Sequence, residues 1–282
     1  MEISFDGKVA VVTGAGGTIC SVVAVDMAKK GAKVVLIGRT KAKLMKTADA
    51  IADFGGVCAI KVCDVSNEAD MSRIAREVEA EFGPCNILIN GAGGNNLKAR
   101  TTKSCFDAED ISDEKSSGLS GFWDVDLEAL KSVFNINVVG TVIAMRVFCK
   151  QMAKNGGGSV VNFCPMNSYC PLTGNMSYAM SKAAVDNYTK WSAAYFAPAN
   201  IRVNAVAPGF IITPMSGTYL GTVEKGLSPR GNKVIAHTPQ GRFGKGKDMV
   251  GTIEFLCDDE AAGFVTGATV PVDGGFLTLS GV

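Results

Sequence analysis

Val9-Ala10-Val11-Val12 runs directly into Thr13-Gly14-Ala15-Gly16-Gly17, and a helical pattern opens at Ile19. A short run that is apolar on both faces reads as a buried strand, and the glycines after it read as a tight turn. A helix that starts at such a turn directs backbone N–H groups and the positive end of its dipole to one point, where a phosphate is favoured. The pattern departs from G-x-G-x-x-G because Ile19 stands at the third glycine position. A purely structural turn is therefore the competing reading, and the rest of the chain has to decide.

Further apolar runs occur at 34–37, 57–62, 87–89, 160–163, 203–206 and 269–272, with helical patterns at about 19–30, 41–53, 67–82, 124–154, 177–197 and 246–257. Strands buried on both faces and alternating with helices predict an α/β fold. The expected form is one doubly wound parallel sheet (Rossmann-type, about seven strands) over residues 1–282, with helices on both faces. Two stretches interrupt the rhythm: the polar segment at about 94–121, and the segment at about 210–245 with Pro214, Pro229, Pro239 and many glycines. Each follows a strand, so each is expected over the carboxyl ends of the sheet, where ligands bind. The second reads as a lid, and a plain surface excursion is the alternative for both.

Composition excludes several classes. The 282 residues carry 28 Lys+Arg against 27 Asp+Glu, and no block of five like charges occurs. That argues against nucleic-acid or membrane partners. No uninterrupted apolar run reaches the ~18–20 residues of a membrane span, and the charged first residues do not resemble a secretory signal. Nine cysteines without a C-x-x-C pair fit free thiols in a reducing cytoplasm. The single histidine, His237, excludes chemistry needing two imidazoles, and no metal site is expected.

The strand at 34–37 leads into Gly38-Arg39-Thr40, with Lys41 and Lys43 behind. In dinucleotide sites an acidic residue near this point binds the ribose hydroxyls of NAD. Here the acid is absent and a planar guanidinium, suited to a 2′-phosphate, lies adjacent. The expected cofactor is NADP(H), with NAD(H) as the alternative, and a solvated helix-start cation as the competing reading of Arg39.

Tyr178-Ala179-Met180-Ser181-Lys182 lies in a helical pattern, so Tyr178 and Lys182 share one face a turn apart. Together with the front-end turn, this resembles the short-chain dehydrogenase/reductase family. Further matches are Asp64-Val65, Asn90-Gly91-Ala92-Gly93, Asn137-Val138-Val139-Gly140, Pro208-Gly209-Phe210-Ile211-Ile212-Thr213 and Val272-Asp273-Gly274-Gly275. The sequence departs from that family at three of these glycine- and asparagine-rich positions. Thr18 and Cys20 replace two glycines, and Gly91 replaces an asparagine. Asn90 to Asn95, Lys98, Thr101-Thr102, Pro171-Leu172-Thr173 and Pro229-Arg230-Gly231-Asn232-Lys233 resemble the D-mannonate oxidoreductase (fructuronate reductase) branch.

The resemblance implies hydride transfer between a nicotinamide and a carbonyl carbon, with Tyr178 as proton donor. Lys182 is expected to lower the phenol's pKa and hold the nicotinamide ribose, and Asn137 to hold a water behind it. It implies a cofactor site from Gly14, Gly16, Gly17, Thr18, Ile19, Arg39, Asp64, Val65, Asn90, Ala92, Gly93, Lys182, Pro208, Gly209, Ile211 and Thr213. The family's catalytic serine lies 13 residues before the tyrosine, where this chain has Pro165. Proline brings neither hydroxyl nor N–H. Ser168 is the first replacement expected, ahead of the Asn167 amide and the Cys164 thiol; a weakly active nucleotide-binding regulator is the alternative. A sugar-acid substrate needs a cation, and Lys98, Arg230 and His237 are the expected contacts, with Arg100, Lys233 and Arg242 proposed on charge and loop location alone. The resemblance also implies a homotetramer.

Overall fold

Seven parallel strands make one sheet in the computed structural model, which describes residues 3–222 and 226–279. In chain order the strands are β1 (Val9–Thr13), β2 (Lys33–Gly38), β3 (Cys58–Val62), β4 (Ile87–Asn90), β5 (Gly158–Phe163) and β6 (Ile201–Pro208). A separate small antiparallel pair, β7 (Gly221–Thr222) and β8 (Gly226–Leu227), precedes the last strand, β9 (Thr269–Val272). The sheet order is β3-β2-β1-β4-β5-β6-β9. The expected fold class is therefore the observed one.

The alternating side chains of β1 show why its run Val9–Val12 is apolar on both faces. Ala10 and Val12 pack with Val23 and Met27 of α1 (Thr18–Lys29). Val9 and Val11 face the other way, among Met71 and Ile74, which belong to an expected helix C-terminal to β3. Helices therefore cover both faces: α1 and α2 (Lys41–Ala52) on one, α3 (Glu68–Phe82) on the other. Full burial of each large aliphatic side chain stabilises the fold by about 1.5–3 kcal/mol.

β1 pairs with β2 on one side and β4 on the other, with Thr13 opposite both Ile37 and Asn90. The strand order reverses here, and the crevice at such a switch point is where α/β sheets place ligands.

The predicted helix over 124–154 divides into α4 (Leu127–Phe134), a π-helical turn (Asn135–Val139) and α5 (Gly140–Lys154). Together they are 28 residues, long and apolar enough to cross a membrane by length and composition. The sequence reading found no such span because polar residues interrupt the apolar run. Half of the segment's most apolar stretch is buried inside the fold. Gln151 donates to Ala75 O at 2.7 Å and accepts from the Cys85 N–H at 3.1 Å. This is the burial pattern of a core helix.

Residues 94–121 carry short 3-10 turns at Leu97–Ala99 and Ala108–Ile111. Following α6 (Met176–Phe196), the 210–245 stretch corrects the loop reading. It holds α7 (Pro214–Leu220) and α8 (Pro229–Ala236) around the β7–β8 pair. Both helices begin with proline behind a hydroxyl cap, Thr213 and Ser228. Proline suits a first helical position because that N–H lacks an intrahelical partner. The predicted helix at 246–257 begins as a 3-10 turn and becomes α9 at Val250–Cys257.

Candidate active site

The turn after β1 is shaped to bring backbone close to a ligand. Gly14 has φ +68°, and a Cβ there would lie 2.8 Å from Gly91 O and Ala92 N. The Thr13 hydroxyl accepts from the Ala92 N–H at 3.1 Å, joining this turn to the loop after β4. A Cβ on Gly16 would meet the Lys43 Cβ at 2.7 Å. Gly17 caps α1 without a side chain, and the first turn, from Thr18 and Ile19, carries no acid. Its N–H groups lack a side-chain cap, the arrangement that receives a diphosphate. The residues present therefore fit a dinucleotide.

Two departures from the family pattern meet here. A Cβ on Gly91 would stand 2.0 Å from the Cys20 Sγ, which is buried. The thiol fills the space that a side chain at 91 would need, so the exchanges at 20 and 91 are one paired change. Gly91→Asn alone is expected to destabilise the fold by about 1–3 kcal/mol through overpacking. Cys20→Gly in the same chain should recover most of that loss, as read by urea denaturation. Additive losses in the double variant would refute the pairing.

At the adenosine end, Gly38 closes β2 and Arg39 projects into solvent, its Nη1 3.7 Å from Asp64 Oδ2. Burial acts to raise the Asp64 carboxyl. Hydrogen bonds from Ser66 Oγ (2.7 Å) and N (3.0 Å), with Arg39 nearby, outweigh it and hold the group below its ordinary value. Val65 packs against Gly140, where an added Cβ would come within 2.6 Å of its Cγ2.

α6 carries Tyr178 and Lys182, and the loop after β4 meets it through Asn137. Asn137 is fully buried in the π-helical turn; its Oδ1 accepts from the Gly94 N–H and its Nδ2 donates to Gly94 O, both at 2.9 Å. Nδ2 also donates to Ser181 Oγ at 2.9 Å. The Asn137 side chain is thus a clamp between the loop and α6, a role not read from sequence, and its own carbonyl accepts from Thr141 Oγ1 at 2.8 Å. Gly93 must lack a side chain, since a Cβ would lie 2.7 Å from Asn137 Oδ1 and 3.4 Å from Lys182 Nζ. Behind them Asn90 Nδ2 donates to Asn162 Oδ1, and Asn162 Nδ2 donates to Thr189 Oγ1, each at 2.9 Å. The Asn90 Oδ1 is buried with no partner among the described residues.

Lys182 Nζ donates to Phe163 O at 3.0 Å. Burial lowers its pKa, opposed by Cys164 and Cys20. The Tyr178 phenol is pushed up to about 12, first by burial and then by Cys164 and Tyr219. The expectation that Lys182 brings the phenol toward neutrality is therefore corrected. Desolvation dominates at both groups, and the ammonium is engaged with the end of β5.

Pro165 starts a 3-10 turn (Met166–Ser168) at the end of β5, packed against α6. The Ser168 N–H donates to Pro165 O at 2.7 Å, whereas the Ser168 Oγ is buried with no partner among the described residues. Of the three replacements for the missing serine, Ser168 alone is left with a buried, unpartnered hydroxyl. Asn167 is buried, and the Cys164 thiol is pushed up to about 12 by burial.

Past β6, Gly209 sits against Asp273, and Gly209 and Ile211 border a cavity of about 380 Å³ with Arg242 and Asp273. Thr213 is engaged elsewhere: it forms a capping box with Ser216 at the start of α7, accepting from the Ser216 N–H at 2.9 Å. A second cavity, about 360 Å³, is lined by Arg100, Thr102, Lys103, Thr173 and Arg230. Of the candidate substrate contacts, Arg230 borders it, as does Arg100, which was proposed on charge and loop location alone. Lys98 is exposed on a 3-10 turn, outside the wall. His237 ends α8 and packs edge-on against Phe276 at 4.8 Å. Arg100 shows no stronger signal in the sequence than the other loop cations.

A family model described as enoyl-(acyl carrier protein) reductase matches residues 14–277. The chain is 38% identical to the uncharacterized oxidoreductase UxuB of Bacillus subtilis, over 98% of this chain and 97% of that one. It is similar to a crystal structure from Haemophilus influenzae provisionally assigned as a D-mannonate oxidoreductase with bound NAD (TM-score 0.93, 35% identity, 99% and 98% of the two chains). A provisional NAD(P)-dependent gluconate 5-dehydrogenase from Beutenbergia cavernae, with low-occupancy NADP, superposes with TM-score 0.80 at 32% identity, over 98% of each chain. With near-complete coverage of sequence and fold alike, the chain belongs to the short-chain dehydrogenase/reductase family, as an oxidoreductase acting on CH–OH groups.

Proposed function

We propose that this protein is an NADP(H)-preferring reductase of a keto sugar acid, interconverting D-fructuronate and D-mannonate. The observation that carries the reading is the junction at the sheet's carboxyl ends. Lys182, the Asn137 clamp and the Gly93-Gly94 loop meet beside the uncapped turn of α1. The sugar-acid assignment draws support from the Haemophilus influenzae structure and from the cationic cavity before the start of α6. When bound, the nicotinamide supplies or takes up the hydride. Tyr178 delivers the proton to the reduced oxygen, Lys182 binds the ribose and holds positive charge near the phenol, and Ser168 donates to the carbonyl oxygen. A panel crossing both cofactors with hexuronates, neutral ketoses and small keto acids tests this; fastest turnover on an uncharged ketose would overturn it in favour of another polyol reductase.

NADP(H) preference rests on Arg39 and on the missing acid at Gly38. The Arg39–Asp64 contact joins two exposed side chains at 3.7 Å. Such pairs contribute about 0–1 kcal/mol, little enough to yield to a phosphate. Arg39→Ala is expected to weaken NADPH binding about tenfold or more, the value of a lost charge-assisted bond. NADH binding should stay nearly constant in the same fluorescence titration. Equal loss for both cofactors, or for neither, would remove the 2′-phosphate contact.

Pro165 favours a second reading, a nucleotide-binding protein of low activity. Single-turnover mixing with NADPH separates the two, because a binder shows no hydride loss with any sugar acid. We further place the enzyme in the reducing cytoplasm, on its free cysteines. We propose a homotetramer joined through α5 and α6, on whose surface Trp191 and Tyr195 are exposed and stacked at 4.9 Å; sedimentation of the purified chain checks it.

A further inference from the structure

The cavity that Arg230 borders holds more charge than a surface pocket needs. Three cations, Arg100, Lys103 and Arg230, line it, and no carboxylate does. Lys103 is neutralised by Asp107 and Glu109, at 3.2 and 2.9 Å. Among the described residues Arg100 and Arg230 have no ion-pair partner, and the buried Arg100 Nε has no hydrogen-bond partner. A buried guanidinium N–H left unpaired is costly, and a bidentate oxyanion is its natural partner.

The segment bearing Arg100 is fastened to the catalytic helix on one side and to the turn that leads into it on the other. Ser177, next to Tyr178, donates to Ala99 O at 2.9 Å, and the Thr101 N–H donates to Gly174 O at 3.3 Å. Ser120 Oγ closes the third side by donating to Arg100 O at 3.2 Å. The position of Arg100 relative to Tyr178 is therefore set by α6 itself. The cavity lies at the start of that helix, with Gly174 on its wall four residues before Tyr178. Tyr178 itself is not among the residues of the wall. An anion held there is therefore set apart from a carbonyl at the phenol.

We propose that Arg100 and Arg230 form a carboxylate clamp that selects acids whose keto group is remote from the carboxylate, and that rejects 2-keto acids. The inference rests on the keto sugar-acid reading and adds its specificity residues. Arg230 closes the clamp from α8, while Arg100 is fixed beneath.

Calorimetric binding of D-mannonate and of D-mannitol, which has the same carbon chain without the charge, tests the clamp without turnover. The NADP⁺-loaded protein should prefer D-mannonate, and Arg230→Gln should erase about ten- to a hundredfold of that preference. Arg100→Gln should act likewise, with thermal melts confirming that it folds; Arg230, on α8, serves as the second variant should it not. Lys98→Ala should leave the preference intact. Equal binding of the acid and the polyol by the parent protein overturns the clamp. Preferential D-mannonate binding without reduction of any keto sugar acid supports the clamp and overturns the enzymatic reading instead. Reduction of 2-keto-D-gluconate as fast as its 5-keto isomer would overturn the spacing.

Discussion

Tyr178→Phe is expected to slow carbonyl reduction by about 10²–10⁴-fold, the usual worth of a positioned acid. Nicotinamide dinucleotide affinity should not change, because the phenol lies on the substrate side of α6 in the proposed mechanism. The pH dependence follows from its surroundings. Burial disfavours phenolate and pushes the group up to about 12. In the reductive direction the phenol must be protonated, so the rate stays flat through the neutral range and falls only as pH nears that value. In the oxidative direction phenolate must be present, so the rate climbs by about tenfold per pH unit over the same range. Stopped-flow rates in both directions, for the parent and the Phe variant, check it. A variant within a few-fold of the parent, or a reductive rate that falls already at neutrality, would defeat the assignment.

The second large effect concerns the hydroxyl at Ser168. Removing one donor to a developing oxyanion costs about 10²–10³ in rate. Ser168→Ala should lose that much in single-turnover reduction, with little loss of stability, since its Oγ has no partner to leave behind. Pro165 has φ −56° and ψ 166°, a conformation that serine adopts without strain. In the Ser168→Ala background, Pro165→Ser should therefore restore much of the rate from the position the family uses. Unchanged activity in Ser168→Ala would shift weight to the low-activity reading, or to the Asn167 amide.

The sheet was legible because its central strands are buried on both faces. The β1 run has no polar residue until Thr13, and every other side chain enters a different cluster. α7 and α8 were not read as helices because glycines and prolines outweighed periodicity in seven- and eight-residue elements. The signal was nonetheless present in Thr213-Pro214 and Ser228-Pro229, each a hydroxyl cap followed by proline at the first helical position. Site positions in the glycine turn and on α6 could be named from spacing. Arg100 could not, because its worth lies in long-range ties to Ser177, Gly174 and Ser120 that no local pattern encodes. His237 was overvalued for the converse reason: rarity drew attention to a ring that packs on Phe276.

The π-helical turn between α4 and α5 works as a phase adjuster. Its wider winding absorbs one surplus residue between two stretches that must each face inward: Ala129 and Val133 toward Ala99, and Ile143 and Phe148 into the core beneath the sheet. Winding those five residues as regular α-helix, with none removed, would rotate one stretch against the other by about 100°. Either the floor of the substrate loop or the central core would then be turned to water. Asn137, lodged in the bulge, holds its aim at Gly94 only while that extra residue remains.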